Sequence, residues 1–172
     1  MKGKWAQGIV PRNFRWVLKD QLAVCERPGG YGANHRRVRR QEEIIWIREN
    51  GFTHVISLIA APHNLHNYEE LELPYVHMPL PDTDIDAVHI HDLYTELHTR
   101  LRAGEKLLVH REELGDFMAG LVAGFLQWTG RVPEGPKAIT VGEHLLERQM
   151  GPTGREIVTI AMRLPPPEPQ GG

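Results

Sequence analysis

One stretch of this chain constrains its fold more than any other. Leu107-Leu108-Val109-His110 is an apolar run of strand length, and a polar loop, Arg111 to Asp116, leads from it straight into the apolar segment Phe117–Trp128. A run apolar at consecutive positions reads as a fully buried strand, and the dozen residues after the loop are long enough for a helix. Other segments repeat the alternation. Trp16-Val17-Leu18 and Leu22-Ala23-Val24-Cys25 read as early strands, His54 to Ile59 as a β-branched buried strand, and Tyr75 to Met78 as a further one. Helical spacing covers Val38–Asn50, where Ile44, Ile45, Trp46 and Ile47 supply the buried side, and Gly51 stops it. It covers Ala87–Arg102 with a stripe of Ile90, Leu93, Leu97 and Leu101. A short helix is expected at Tyr68–Leu73, and others at Pro136–Gln149 and Arg155–Met162. The fold class is therefore α/β, a mainly parallel sheet flanked by helices. Ligands of such sheets sit off the C-terminal strand ends, here the loops 60–67, 79–86 and 110–117.

Composition narrows the function classes. The chain has 172 residues, 41% of them apolar, enough for one domain with a proper core. The expected layout is an N-terminal extension at 1–14, the domain at 15–163, and a disordered Pro/Gly tail at 164–172. Net charge is −2, which gives no global attraction to nucleic acid or an acidic membrane. The basic run Arg36-Arg37-Val38-Arg39-Arg40 is local; it reads as an anion or acidic-partner patch near the Gly-rich loop or, since Glu42, Glu43 and Glu49 follow it, as a solvated helical face, the favoured reading, and it is too short for nucleic-acid binding. Cys25 is the sole cysteine, which excludes an intrachain disulfide and suits a reducing compartment. It reads as a small core residue. No stretch of about 20 apolar residues exists to span a membrane, and the first residues lack the apolar core of a signal peptide. The expected location is cytoplasmic. Trp5 and Trp128 are candidate interface aromatics.

The strand-loop-helix at 107–126 resembles the signature region of the dual-specificity branch of the protein tyrosine phosphatases, H-C-x-x-G-x-x-R. His110 matches its histidine, and Leu121 to Leu126 resembles the helix that follows. Leu22 to Gly29, Val55-Ile56-Ser57-Leu58 and Val76 to Asp82 fall in family order, with Asp82 at the general-acid position. The resemblance covers roughly residues 15 to 160 and implies a phosphatase-like fold. The signature itself is degenerate. Arg111 stands at the nucleophile position, Leu114 at the glycine, Phe117 at the phosphate-clamping arginine and Met118 at the following Ser/Thr. An arginine stays protonated and cannot attack phosphorus, and Phe117 cannot form a fork to phosphate. Glu112, Glu113 and Asp116 put carboxylates where a dianion would sit, and like charges ~4 Å apart repel by about 4 kcal/mol at intermediate dielectric.

Three functions follow from that altered loop. The first is a pseudophosphatase, a catalytically inactive domain that binds a protein or small ligand through Asp82, His110, Arg111, Glu112, Glu113 and Asp116. It needs no cofactor. The second is a repurposed hydrolase in which a transition metal sits on His63, His66 and His110 with neighbouring acids, Asp84 included, and activates water. The third is a residual phosphatase with Cys25 or water as a displaced nucleophile. A second histidine group, His89, His91 and His98 beside Asp92, reads as a solvated helix face. No membrane or nucleic-acid partner is expected.

Overall fold

A computed structural model of the chain describes residues 7–30, 37–62, 64–81, 83 and 85–168. The chain divides into two compact units, Met1–Pro81 with Leu101–Leu114, and Asp82–Arg100 with Gly115–Gly172.

The first unit holds the sheet. Its strands are β1 (Arg15–Leu18), β2 (Leu22–Glu26), β3 (His54–Ser57), β4 (Tyr75–His77) and β5 (Leu107–Arg111), in the order β1-β2-β5-β3-β4. β1 runs antiparallel to β2, and every other pairing is parallel, as the apolar runs imply. The apolar run of β5 lies at the centre because only a central strand buries both faces. Ala23, Val55 and Leu108 are register partners and share one face. That face packs on Ile44 and Ile47 of helix α1 (Arg37–Glu49) and on Tyr68 of the short helix α2 (Leu65–Glu70), with Phe52 and Leu73 closing the core. Val24, Ile56, Leu107 and Val109, which alternate with them, are buried too.

Two rungs further along the strands the same face turns polar. Cys25 pairs with His110, His110 with Ser57, and Ser57 with His77, so four chemically capable side chains cross the sheet in one row at its C-terminal edge.

Helix α2 begins three residues before the expected Tyr68. Asn64 adopts φ 71°, and its carbonyl accepts from the amides of Asn67 and Tyr68, which starts the turn early; Glu72 at φ 57° ends it. His66 therefore lies on an exposed helical surface and not in a loop. The basic stretch also departs from a solvated face. Arg39 and Glu43 pair at 3.1 Å as an i,i+4 contact, but Arg40 and Glu43 are buried. Position 36 lies outside the described residues.

The second unit is helical: α3 (Ala87–Arg102, up to Arg100 in this unit), α4 (Asp116–Trp128), α5 (Gly135–Leu146) and α6 (Pro152–Arg163). Small residues on α4 let its neighbours come close. A Cβ at Gly120 would lie 2.5 Å from the Cα of Gly154 on α6, and one at Gly124 would lie 2.5 Å from the Tyr94 hydroxyl. That hydroxyl donates to the Leu121 carbonyl at 2.8 Å. Trp128 is buried and donates its indole N–H to the Pro165 carbonyl at 2.7 Å, so it is a core residue of this unit and not an interface aromatic. His91 and His98 lie edge-on to its ring at 5.9 and 5.8 Å, half-buried, where a solvated face was expected. Trp5 lies outside the described residues. No helix among the described residues is long and apolar enough to cross a membrane.

Candidate functional site

The C-terminal edge of the sheet in the first unit gathers the loop after β2, the start of α2, and the residues that follow β4 and β5. The loop after β2, Arg27-Pro28-Gly29-Gly30, is tightly held. The Gly30 amide donates to the Arg27 carbonyl at 2.9 Å, and Gly29 and Gly30 take φ of 89° and 81°, open to glycine at no steric cost. The Gly29 amide donates to Glu43 Oε2 at 2.6 Å. Burial raises the Glu43 carboxyl's pKa, with that amide and Arg39 pulling the other way. From the α2 side, Asn64 Nδ2 donates to the Pro28 carbonyl at 2.9 Å. Arg27 lies between these supports, 9% exposed. Its Nη2 reaches Asn64 Oδ1 at 3.5 Å and its Nη1 reaches Glu112 Oε2 at 3.5 Å.

His110, the last residue but one of β5, is fully buried. Its Nε2 shares a hydrogen bond with the Tyr68 hydroxyl at 2.9 Å. Burial drives its pKa down to about 3, and the charge of Arg27 pushes the same way, so the ring is neutral at pH 7. Burial also raises the Tyr68 hydroxyl's pKa, and Cys25 adds to the shift. Cys25 is 0% exposed within the α1-facing core, and burial, then Glu43 and Glu26, raise its thiol well above the ordinary range. A thiol so placed is not a thiolate at neutral pH and has no path to a substrate.

Arg111 ends β5 at the nucleophile position. Its Nη2 donates to the Leu80 carbonyl at 3.4 Å. Burial lowers its pKa, while Glu113 and Glu112 favour its charge. It stays a protonated guanidinium, which offers no lone pair for attack. Glu112 turns to Arg27, and Glu113 is exposed.

The structure therefore brings together His110, Arg111 and Glu112 from the expected set. Asp116, in the second unit, is used elsewhere: its carboxylate accepts from the amides of Gly151 at 2.7 Å and Gly154 at 3.0 Å, the N-terminal turn of α6. Asp82, Asp84 and His63 lie outside the described residues. Among the described residues no group of three His, Cys, Asp or Glu side chains is placed to hold a metal. His66 is exposed while His110 is fully buried. The sequence does not single out Arg27, Asn64 and Tyr68 as site residues, and Arg40 belongs to the basic run that reads mainly as a solvated face. The traces they left were the Pro-Gly loop, the basic run and a loop unusually rich in His and Asn.

No family model matches the sequence, and no curated protein matches it. Solved structures do. Tk-PTP in its active form matches with a TM-score of 0.70 at 14% identity, over 88% of this chain and 98% of that one. A kinase associated phosphatase whose catalytic-site cysteine is replaced by serine gives 0.73 at 20% identity, over 90% and 99%. The chain has the dual-specificity phosphatase fold. A human tyrosine phosphatase-like serine/threonine/tyrosine-interacting protein matches at 0.62 and 15% identity, over 86% and 92%. From the end of β5 to the start of α4 the chain carries Arg111, Glu112, Glu113 and Asp116.

Proposed function

We propose that this chain is a phosphatase-like binding domain that does not hydrolyse phosphate esters and engages a protein or small ligand at the C-terminal edge of its sheet. The observation that carries the reading is the state of the nucleophile position. Arg111 fills it with its guanidinium on the Leu80 carbonyl, and the chain's one thiol, Cys25, is sealed in the core with a raised pKa. Cysteine phosphatases need a thiolate there and a cradle of N–H groups plus a bidentate arginine for three oxygens. Carboxylates at Glu112 and Glu113 oppose an anion at the loop itself. Arg27, Arg111 and the glutamates supply recognition groups without supplying a nucleophile.

The test is hydrolysis of an aryl phosphate by the purified protein, as isolated, after chelation, and with zinc, manganese or nickel added back. The expected result is no turnover above buffer in any arm. Turnover that follows an added metal would overturn the reading in favour of a metal-dependent hydrolase, and metal-free turnover abolished by Cys25→Ser would favour a displaced thiol.

A further inference from the structure

The segment that leaves α6 carries a pattern that the sheet edge does not use. From Arg163 the sequence reads Arg-Leu-Pro-Pro-Pro-Glu-Pro, a cation followed at three-residue intervals by Pro166 and Pro169. Local sterics hold such a stretch extended. Each proline ring fixes its own φ at about −65°, and the residue before a proline is pushed out of the helical region. Leu164 shows the outcome. With φ −73° and ψ 151° it ends α6 in the polyproline II geometry. That geometry makes no internal hydrogen bonds, so its carbonyls need donors from elsewhere. Trp128 of α4 supplies one, its indole N–H donating to the Pro165 carbonyl at 2.7 Å. The segment is thereby tied to the helical unit at its first turn.

Burial follows the same period. A polyproline II helix has three residues per turn and therefore three edges. Leu164 and Pro167, three apart on one edge, are half-buried, whereas Pro165, Pro166 and Glu168 on the other two are exposed. Arg163 is exposed as well. The chain covers one edge and leaves two open, with a guanidinium at their start. A groove of aromatic side chains beside an acidic pocket is the complement of that surface. The proline rings lie between the aromatic rings, and the guanidinium meets the carboxylates. The stretch is set in its bound geometry by proline sterics and by the Trp128 contact, so binding orders little chain.

We propose that Arg163–Pro169 is a docking motif for an SH3-type domain, which reads polyproline II in an aromatic groove and holds Arg163 in an acidic pocket. The motif belongs to the second unit and shares no residue with the sheet edge. It stands whether or not that edge binds a ligand.

The experiment is a titration of the full, isotopically labelled chain with a panel of SH3 domains that select an arginine three residues ahead of the first groove-bound proline. Saturable shifts of the Arg163, Leu164 and Glu168 amides and of the Trp128 indole N–H are expected. Arg163→Glu reverses the charge and is expected to weaken binding about tenfold or more, and Pro166→Ala, on an open edge, about tenfold. Pro167→Ala, on the covered edge, loses only preset geometry and is expected to weaken it less than about threefold. Arg163 and Pro166 are exposed, so both variants should melt with the parent. Equal affinity in the parent and Arg163→Glu proteins would overturn the acidic pocket. A loss in Pro167→Ala as large as that in Pro166→Ala would overturn the assignment of edges. Binding to WW domains, which read prolines in an aromatic groove, with none to the SH3 panel would overturn the partner class, and no saturable shift with either would overturn the motif.

Discussion

At the scale of single residues, His110 makes stability depend on pH in a calculable direction. Its folded pKa is about 3 against an ordinary value near 6.5. Above pH 6.5 neither state binds the proton. Between 6.5 and 3 the unfolded chain takes it up and the folded chain does not, so stability falls as pH falls through that window. The full effect is on the order of several kcal/mol. Urea unfolding at pH 7.5 and 4.5 should show it, and His110→Gln should flatten the difference between the two pH values while lowering stability at pH 7.5. An unchanged slope in that variant would remove the assignment. Cys25 gives a second check. Its thiol should resist aromatic disulfide reagents in the folded protein and react at once in denaturant, since buried thiols are inert. These two residues also mark what a sequence reveals at this scale. A cysteine inside an apolar run announces its own burial. The burial of Arg27 is invisible, because one arginine in a Pro-Gly loop looks like any solvated arginine until Asn64, 37 residues on, is placed against it.

At the scale of elements, the α4–α6 crossing is where substitution should cost most. The backbone of Gly154 fills the space a methyl group on Gly120 would need. Gly120→Ala is therefore expected to destabilise by about 1–3 kcal/mol through forced separation of the helices, measured as a fall in the denaturation midpoint. Asp116 accepts two α6 amides, and Asp116→Ala leaves both without a partner, at about 1–3 kcal/mol. Asp116→Asn keeps one acceptor oxygen and should fall between. Equal stability of all three proteins would show that the contact is dispensable. The strands and long helices were legible because their apolar periods are local. The start of α2 was not, because the left-handed turn at Asn64 is held in place by a hydrogen bond to Pro28. The capping of α6 by Asp116 has no local signature either, since its partners lie 35 and 38 residues downstream. An acidic residue in an altered loop read as part of a cleft; its geometry makes it a helix cap.

For the molecule as a whole, the mainly parallel order β1-β2-β5-β3-β4 and the likeness to solved phosphatases show the fold, and fold alone carries no chemistry. The expectation is that Arg111→Cys yields a folded protein without phosphatase activity. The new thiol would lie beside Glu112 and Glu113, whose charges raise a thiol pKa, and Phe117 would still leave the oxygens without an arginine fork. Aryl phosphate turnover by that single variant would show that the loop retains a working cradle. Asp116 carries a different consequence. Position 116 is one that the signature pattern leaves open, and here its carboxylate is the clasp on the first turn of α6. A change at 116 would therefore slacken a helix 35 residues away while leaving positions 111, 114 and 117 as they stand.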